Sequence, residues 1–321
     1  MLVRYSAFRQ ARFLGGPTMS VNRRSFIGAG VAAGLFSSGH LAWTGQSQTA
    51  DDRFDPWIEV IPDNLRFNVQ QVRKLTNDRP ILAVVKNNAY GLGLIETARL
   101  LEPLNEIYGF AVVKTDAALR LREDGIRKPV LLMGMCTPVD GVELASKQIE
   151  LSLYTDDSLD RAAAISRKTN RPVAAHAYLD TGLGRLGMPY HRALPWLEKL
   201  SASSHVQIKG TFTAMTEEQD FDPVQLDRFS KFVDQAKQRG SKLGKLHAAS
   251  SNGVYHLPGA HFDLVRPGIA LYGGYPSRPA EERAKAVLKP AVRLKCRVAR
   301  VEQLRTGDSA GYGRKYIARK P

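Results

Sequence analysis

The chain has 321 residues, of which 43% are hydrophobic and 24% charged, the composition of an ordinary globular protein. This length can bury a core of barrel size and still carry a smaller appended domain. The formal net charge is +15, but five arginines lie in residues 1–50, which contain no acidic residue, so the rest of the chain carries +10. Those remaining basic residues are scattered and often neighbour acids, which argues against nucleic-acid binding, since that function needs clustered positive charge.

Residues 1–50 have the features of an export signal. Residues 22–26 (NRRSF) precede a ten-residue apolar run, which is too short to span a bilayer because a spanning helix needs about 20 residues. The paired Arg23 and Arg24 resemble a twin-arginine signal. We therefore expect a periplasmic protein that meets the membrane only during export, with an ordinary basic leader as the alternative. Met19 is a second candidate start, and cleavage is expected within residues 38–50.

From residue 81 onwards, short apolar runs alternate with amphipathic stretches. Stretches such as residues 115–125 (TDAALRLREDG) repeat apolar side chains at helical spacing and stop at glycine. Continuous apolar runs separated by helices are typical of a parallel sheet that is covered on both faces. Eight such units predict the α/β class and a (β/α)8 TIM-type barrel over residues 65–290. The predicted strands are residues 81–85, 108–113, 129–134, 151–155, 172–179, 206–215, 243–250 and 262–273.

Two segments lie outside this alternation. Residues 55–64 contain the run WIEVI before the first unit. Residues 292–304 follow the last unit with nearly alternating apolar and polar side chains, a pattern that predicts a strand. We predict that the first segment supplies the leading strand of a C-terminal β-domain, residues 291–321. That domain is expected to be incomplete, because few residues follow the second segment.

The two cysteines, Cys136 and Cys296, show no metal-ligand spacing. We expect two separate buried thiols, although the sequence leaves a disulfide between them open. No metal site is predicted.

Lys86 ends the first predicted barrel strand, within ILAVVKNNAYGLG at residues 81–93. An unpaired ammonium is costly to bury, so this lysine is paired, exposed at the strand end or used chemically. In barrels of this type, catalytic side chains gather at the carboxyl ends of the strands. That position favours chemistry, and a lysine bridging to a barrel carboxylate is the structural alternative.

The segment VVKNNAYGLG resembles the lysine motif of the alanine racemase family, fold-type III enzymes that use pyridoxal 5'-phosphate (PLP). The resemblance implies that Lys86 forms a Schiff base with PLP, which suits an amine at an apolar barrel mouth. It also implies that Tyr90 contacts the phosphate. Three further segments resemble the family in the same order along the chain: DTGLGRLGM (180–188), HAASSN (247–252) and VRPGIALYG (265–273).

These segments carry the remaining site residues that the resemblance implies. Arg185 would bind the substrate carboxylate, to which a guanidinium fork is suited. Arg266 would face the ring nitrogen of PLP, and because an arginine does not readily give up its proton, the ring would stay a weaker electron sink. The other implied cofactor-binding residues are His247, Ser251, Gly268 and Ile269.

GDSAGYGRKY, residues 307–316, resembles the turn of the family's β-domain that carries a second catalytic base, here Tyr312. The resemblance, over residues 55–321, implies racemisation of L-alanine to D-alanine, or of a broader range of amino acids. Lys86 and Tyr312 would transfer protons on opposite faces of the substrate. A homodimer is implied if the β-domain is complete. The alternatives are a non-catalytic PLP-binding barrel, an inactive fragment, and a PLP-dependent decarboxylase or aldolase, against which Arg266 and Tyr312 argue.

Four positions depart from the family pattern. Leu92 and Ala214 stand where the family usually has histidines, and Ser250 replaces an asparagine. Tyr178 stands where the family has a lysine that helps to orient the substrate-binding arginine. These departures bear on substrate identity and leave the cofactor-binding positions intact. Family members also continue beyond the tyrosine turn into a segment that enters the partner's active site, so we expect this chain to be truncated at its C-terminus.

Overall fold

The computed structural model describes the backbone of Val3–Ser6 and residues 56–321. The predicted export signal therefore lies almost wholly outside the described residues. The chain divides into two compact units, whose described residues are mainly Trp57–Lys295 and Cys296–Pro321. Among the described helices, none has both the length and the apolar character needed to cross a membrane.

Most strands belong to the first unit. Seven of them form a parallel sheet in the order β10–β9–β7–β6–β5–β4–β3, and the short β8 pairs with β7. The strands are β1 (Val3–Ser6), β2 (Trp57–Val60), β3 (Ile81–Val84), β4 (Ile107–Val112), β5 (Val130–Leu132), β6 (Glu150–Leu153), β7 (Val173–Asp180), β8 (Met188–Pro189), β9 (Val206–Thr213), β10 (Lys245–His247), β11 (Val292–Lys295), β12 (Ser309–Ala310) and β13 (Tyr316–Ile317).

An eighth segment, residues 263–267, closes the parallel sheet into a ring. On one side, Leu82 N–H donates to the Val265 carbonyl (2.9 Å), and Val265 N–H donates to the Pro80 carbonyl (3.0 Å). On the other side, Arg266 N–H donates to the carbonyl of Ala249 (2.8 Å). Each of the eight predicted apolar runs thus contributes one wall of the ring, and the predicted TIM-type barrel is confirmed.

Helices cover the outside of this ring, and their ends follow local sequence signals. Thr137 begins α5 with a capping box, since its hydroxyl accepts from Asp140 N–H (3.1 Å). The helices are α1 (Pro62–Leu75), α2 (Lys86–Tyr90, a single turn), α3 (Leu94–Leu101), α4 (Thr115–Glu123), α5 (Pro138–Ser146), α6 (Ser158–Thr169), α7 (Ala193–Ala202), α8 (Asp222–Gln238), α9 (Ser251–His256) and α10 (Pro279–Lys285). The 3₁₀ turns in the described part of the chain are η1 (Pro258–Ala260), η2 (Ile269–Tyr272) and η3 (Tyr312–Arg314).

The barrel strands are buried on both faces, as continuous apolar runs predict. Along β3, Ile81 and Ala83 belong to the large apolar cluster that includes the helices. Leu82 and Val84 belong to a smaller cluster, shared with Phe212, inside the ring. Because side chains alternate along a strand, the same alternation directs Lys86, two positions beyond Val84, towards the interior.

The predicted strand before the barrel pairs with the one after it. Antiparallel β2 and β11 match Trp57 with Lys295 and Val60 with Val292. The predicted strand over residues 292–304 is wrong beyond Lys295, because the residues that follow are irregular in structure. An alternating pattern becomes a strand only where a neighbour supplies hydrogen bonds and an apolar face, and Val301 here is 89% exposed.

The second unit contains the short hairpin of β12 and β13, which are antiparallel. Cys296 lies in this unit and is exposed, whereas Cys136 is half-buried, and both are free thiols. The expectation of two buried thiols is therefore wrong for Cys296. It follows directly after the end of β11, where no strand of the described residues covers it.

Candidate active site

A cavity of about 770 Å³ lies at the carboxyl ends of the barrel strands. Its walls come from the segments that follow β3, β4, β5, β7, β9 and β10 and from the closing segment, as expected for this barrel type. The predicted site residues that line it are Lys86, Tyr90, Arg185, Ser251, Arg266, Gly268 and Ile269. The structure thus brings together in one cavity residues that are far apart in sequence.

Lys86 is half-buried at the end of β3 and begins an unusual turn. The next residues, Asn87, Asn88, Ala89 and Tyr90, all have positive φ angles between 52° and 56°. Asparagine tolerates this left-handed conformation, but for a residue such as Ala89 it costs of order 1–3 kcal/mol. Strain of this kind is typical of functional sites. The turn leaves Lys86 Nζ 6.0 Å from the centroid of the Tyr90 ring.

Ser251 and the turn η2 form a set of hydrogen-bond donors at one side of the cavity. The Ser251 hydroxyl accepts from the N–H groups of Gly268 (3.0 Å) and Ala270 (3.2 Å). A Cβ atom on Gly268 would lie 2.1 Å from Tyr90 Oη, so the close approach of that phenol requires glycine. Burial and, to a smaller extent, the charge of Glu217 raise the pKa of Tyr90, which keeps the phenol as a donor.

Arg266 lines the same cavity and is only 7% exposed. Its Nη2 donates to the carbonyls of Thr213 (2.6 Å) and Ala248 (3.1 Å), and its Nη1 donates to His247 Nδ1 (2.9 Å). Burial lowers the pKa of Arg266 to about 10. At neutral pH it is therefore a fixed cation that can donate hydrogen bonds but cannot accept them.

His247 is fully buried below Arg266. Its Nε2 lies 2.8 Å from His176 Nδ1, and His176 Nε2 lies 2.8 Å from Glu150 Oε2. Burial, with the positive charge of Arg266, holds the pKa of His247 well below its usual range. The sequence reasoning missed Glu150 and His176, and the signal that could have found them is an ionisable residue within an apolar strand.

Two of the departures from the family pattern, Tyr178 and Ala214, line the cavity. Tyr178 stacks on Phe212 with ring centroids 4.2 Å apart, and Phe212 stacks in turn on His247 at 4.9 Å. The third departure, Leu92, is buried in the apolar core. Aromatic and small apolar side chains thus shape this part of the cavity.

The fourth departure, Ser250, has a structural role. Its hydroxyl accepts from Asn252 N–H (3.2 Å) as the cap of α9 and donates to Glu217 Oε1 (2.8 Å). Ser250 also lines the cavity. The cap aligns the first turn of α9, where Ser251 lies.

Arg185 lies on the loop between β7 and β8. The loop is shaped by Asp180, whose carboxylate accepts from the N–H groups of Gly182 (2.9 Å) and Gly184 (3.1 Å). Gly187 passes so close to β7 that an added Cβ would lie 2.5 Å from the nitrogen of Asp180. Arg185 itself is exposed, and within residues 56–321 it has no hydrogen-bond or ion-pair partner. Its guanidinium is available to an anionic ligand.

Tyr312 is the predicted site residue that belongs to the second unit. It begins η3, between β12 and β13, and its side chain is fully exposed. Its assignment as a base remains a prediction.

Comparison with known proteins decides the family. The family model "Alanine racemase, N-terminal domain" matches residues 60–276, which is most of the chain. The chain belongs to the alanine racemase family. The alanine racemase of Carboxydothermus hydrogenoformans is 36% identical over 275 residues, which cover 82% of this chain and 72% of that protein. The resemblance seen in the sequence motifs is therefore confirmed.

Solved structures agree with this assignment. The alanine racemase of Clostridium difficile 630 superposes with a TM-score of 0.74 and 26% identity, covering 83% of this chain and 70% of that chain. The alanine racemase of Bacillus anthracis with bound L-Ala-P gives a TM-score of 0.72 and 28% identity, covering 84% and 70%. Sequence and structure thus both place the chain in a family of isomerases, as its sequence predicts.

Proposed function

We propose that this racemase-family chain interconverts L-alanine and D-alanine with PLP held in the barrel cavity. The observation that carries the proposal is the convergence of Lys86, Arg266, Arg185 and the donors around Ser251 in one cavity of about 770 Å³. An amine, two guanidinium groups and an anion-binding set are the groups that an amino acid and a phosphorylated pyridine require.

The residues present fit PLP. The phosphate would be held by the hydroxyl of Ser251, the phenol of Tyr90 and the N–H groups of Gly268 and η2, since those groups already converge. Arg266 would face the ring nitrogen, and Lys86 would supply the amine that links to the aldehyde. When bound, PLP supplies an electron sink for the electron pair left at the α-carbon.

Proton transfer would fall to two side chains. Lys86, half-buried in the cavity, would move the α-proton on one face of the substrate, while Arg185 holds the substrate carboxylate. Tyr312 is proposed as the base for the other face, and the support for this is the resemblance of its GDSAGYGRKY turn to the family. Arg266 would hold the ring nitrogen unprotonated, because its own donor-only guanidinium faces it.

The experiment combines cofactor binding with activity. PLP is added to the full chain, the product is reduced with borohydride and mapped by peptide analysis, and racemisation is assayed from each enantiomer. The label is expected on Lys86 and is lost in Lys86→Ala, but not in Lys114→Ala, which changes the lysine just after β4. Label spread over surface lysines would refute the proposal. Label on Lys86 without racemisation would favour the non-catalytic PLP-binding barrel.

Tyr312→Phe tests the second base. We expect cofactor linkage to persist, while exchange of the α-proton with deuterated solvent falls for one enantiomer by about 10²- to 10⁴-fold, the usual contribution of a general base. Tyr316→Phe, which changes a tyrosine in the same unit, is the matched control. Equal exchange of both enantiomers in Tyr312→Phe would remove Tyr312 from the mechanism.

We also propose export to the periplasm and a homodimer. The support for export is the NRRSF sequence followed by its short apolar run, and the support for the dimer is family membership. Cell fractionation with Arg23→Lys/Arg24→Lys tests the first, and the variant should stay in the cytoplasm. Sedimentation of the full chain tests the second, and a monomer at micromolar concentration would refute it.

A further inference from the structure

Four buried polar side chains form a continuous hydrogen-bonded chain through the inside of the barrel. It runs from Arg266 to His247 (2.9 Å), to His176 (2.8 Å) and to Glu150 (2.8 Å). These residues come from the closing segment, β10, β7 and β6, and each is at most 7% exposed. A polar chain buried to this extent is stable only if every member is satisfied.

The chemistry of Arg266 and Glu150, the two ends of this series, fixes the donor-to-acceptor direction of every hydrogen bond between them. A guanidinium can only donate, so His247 Nδ1 must accept and carry no proton. Neutral His247 then has its proton on Nε2 and donates to His176 Nδ1. His176 in turn has its proton on Nε2 and donates to Glu150, whose carboxylate can only accept. Both ends therefore demand the same tautomer in both histidines.

Glu150, the last residue of this hydrogen-bonded series, lies at the face of the barrel opposite the active-site cavity. Glu150 is the first residue of β6, whereas the active-site cavity lies at the carboxyl ends of the strands. Glu150 lines a second cavity of about 380 Å³ together with the basic side chains of Arg122, Arg127, Arg171 and Lys209. Among the residues that the structure describes, the hydrogen-bond partners of Arg266 include no carboxylate. Glu150 is thus the anion to which the buried cation is connected.

We propose that His176 and Glu150 are positioning residues for Arg266, and that they fix the tautomer of His247 so that its Nδ1 holds the guanidinium in place. The inference rests on the proposed function insofar as Arg266 faces the ring nitrogen of PLP. Without the acceptor at Glu150, the tautomer of His176 that carries its proton on Nε2 is no longer stabilised by a hydrogen bond. His247 can then present an N–H towards Arg266, and two donors would face each other.

The test reads the histidine tautomers directly. The full chain, labelled with ¹⁵N in its histidines, is examined by NMR at neutral pH without PLP. A single neutral tautomer gives two well-separated ring-nitrogen resonances, and a mixture gives averaged ones. We expect His176 and His247 to be neutral and protonated on Nε2. Protonation of His247 on Nδ1, or of both its nitrogens, in the unaltered chain would overturn the proposal whether or not any variant folds.

Two variants of Glu150 distinguish its positioning of Arg266 from a general effect on the stability of the fold. In Glu150→Leu, the resonances of His247 should become averaged, and the absorption maximum of added PLP should shift. Glu150→Gln retains an acceptor oxygen and should restore both spectra. Glu198→Leu, at the half-buried carboxylate that pairs with Arg239, is the control and should change neither. A folded Glu150→Leu variant with the tautomers or the PLP spectrum of the unaltered chain would refute the proposal.

The proposed racemase function and the proposed positioning role of His176 and Glu150 can be refuted independently. The NMR spectra are recorded without PLP, so an inactive chain can still show the expected tautomers. Equally, an active racemase can show the wrong tautomer at His247.

Discussion

The cavity holds two arginines in contrasting ways. Arg266, in the inner wall, is 7% exposed and donates to His247 and to two backbone carbonyls. Arg185, on the loop after β7, is exposed and has no partner in the part of the chain that the structure describes. The barrel thus fixes one guanidinium before any ligand binds and leaves the other for the ligand to engage.

The difference follows from where each residue lies. Arg266 is part of the closing segment, so barrel closure itself carries its guanidinium into the interior, where desolvation must be offset by hydrogen bonds. Arg185 lies on a loop held at its base by Asp180 and at its end by Gly187. Ordering such a side chain upon binding costs about 0.5–1.5 kcal/mol. The part of the cavity that holds Arg266 is therefore preorganised, and the part that holds Arg185 is left for a ligand to complete.

The largest expected effect comes from Arg266→Leu. This change leaves His247 and two buried carbonyls without their donor. Each unsatisfied buried group costs about 1–3 kcal/mol, so the total loss is expected to be about 3–5 kcal/mol. The free energy of unfolding, measured by urea denaturation of the PLP-free chain, should fall by that amount. Arg293→Leu, at an exposed arginine of β11, is the control and should change it little. A loss below 1 kcal/mol for Arg266→Leu would contradict the preorganised inner wall.

Gly268→Ala is expected to have an intermediate effect. Its Cβ would lie 2.1 Å from Tyr90 Oη, and overpacking of this kind typically costs about 1–3 kcal/mol. The Kd for PLP, measured by fluorescence titration, should rise by about tenfold, which corresponds to about 1.4 kcal/mol. Gly259→Ala, at a glycine that does not line the cavity, is the control.

A double variant tests directly whether Tyr90 and Gly268 are in contact. Adding Tyr90→Phe to Gly268→Ala removes the clashing hydroxyl, so the combined loss in unfolding free energy should be smaller than the sum of the two single losses. Additive losses would show that Tyr90 and Gly268 do not meet as the structure places them.

The sequence allowed the barrel and much of its site to be predicted. The eight apolar runs specify strands because each run is buried on both faces. Lys86 directly follows the first run, which places it at the carboxyl end of that strand. The motif residues Ser251, Arg266 and Gly268 could be assigned because each lies in a short segment that resembles the family. Local sequence was sufficient for these predictions.

The remaining features depend on contacts that local sequence does not encode. Glu150 and His176 are 26 residues apart and meet because neighbouring strands align. The strand predicted beyond Lys295 failed for the same reason, since the alternation of its side chains finds no packed neighbour. Ala270, whose N–H donates to Ser251, was missed because a backbone donor leaves no signature in side-chain chemistry.

The smallest effect on stability is expected from Arg185→Ala, because this side chain contacts no described partner that its removal would leave unsatisfied. The free energy of unfolding should change by no more than about 0.5 kcal/mol, as is usual for exposed sites. Binding of PLP should be retained, whereas kcat/KM for alanine should fall by about 10- to 100-fold, because hydrogen bonds to a charged group contribute about 1.5–3 kcal/mol. Arg192→Ala, at an exposed arginine that pairs with Asp156, is the matched control and should affect neither quantity strongly. If Arg185→Ala instead destabilised the chain as much as Arg266→Leu, both arginines would be structural, and the division of the cavity into a preorganised side and a ligand-completed side would be wrong.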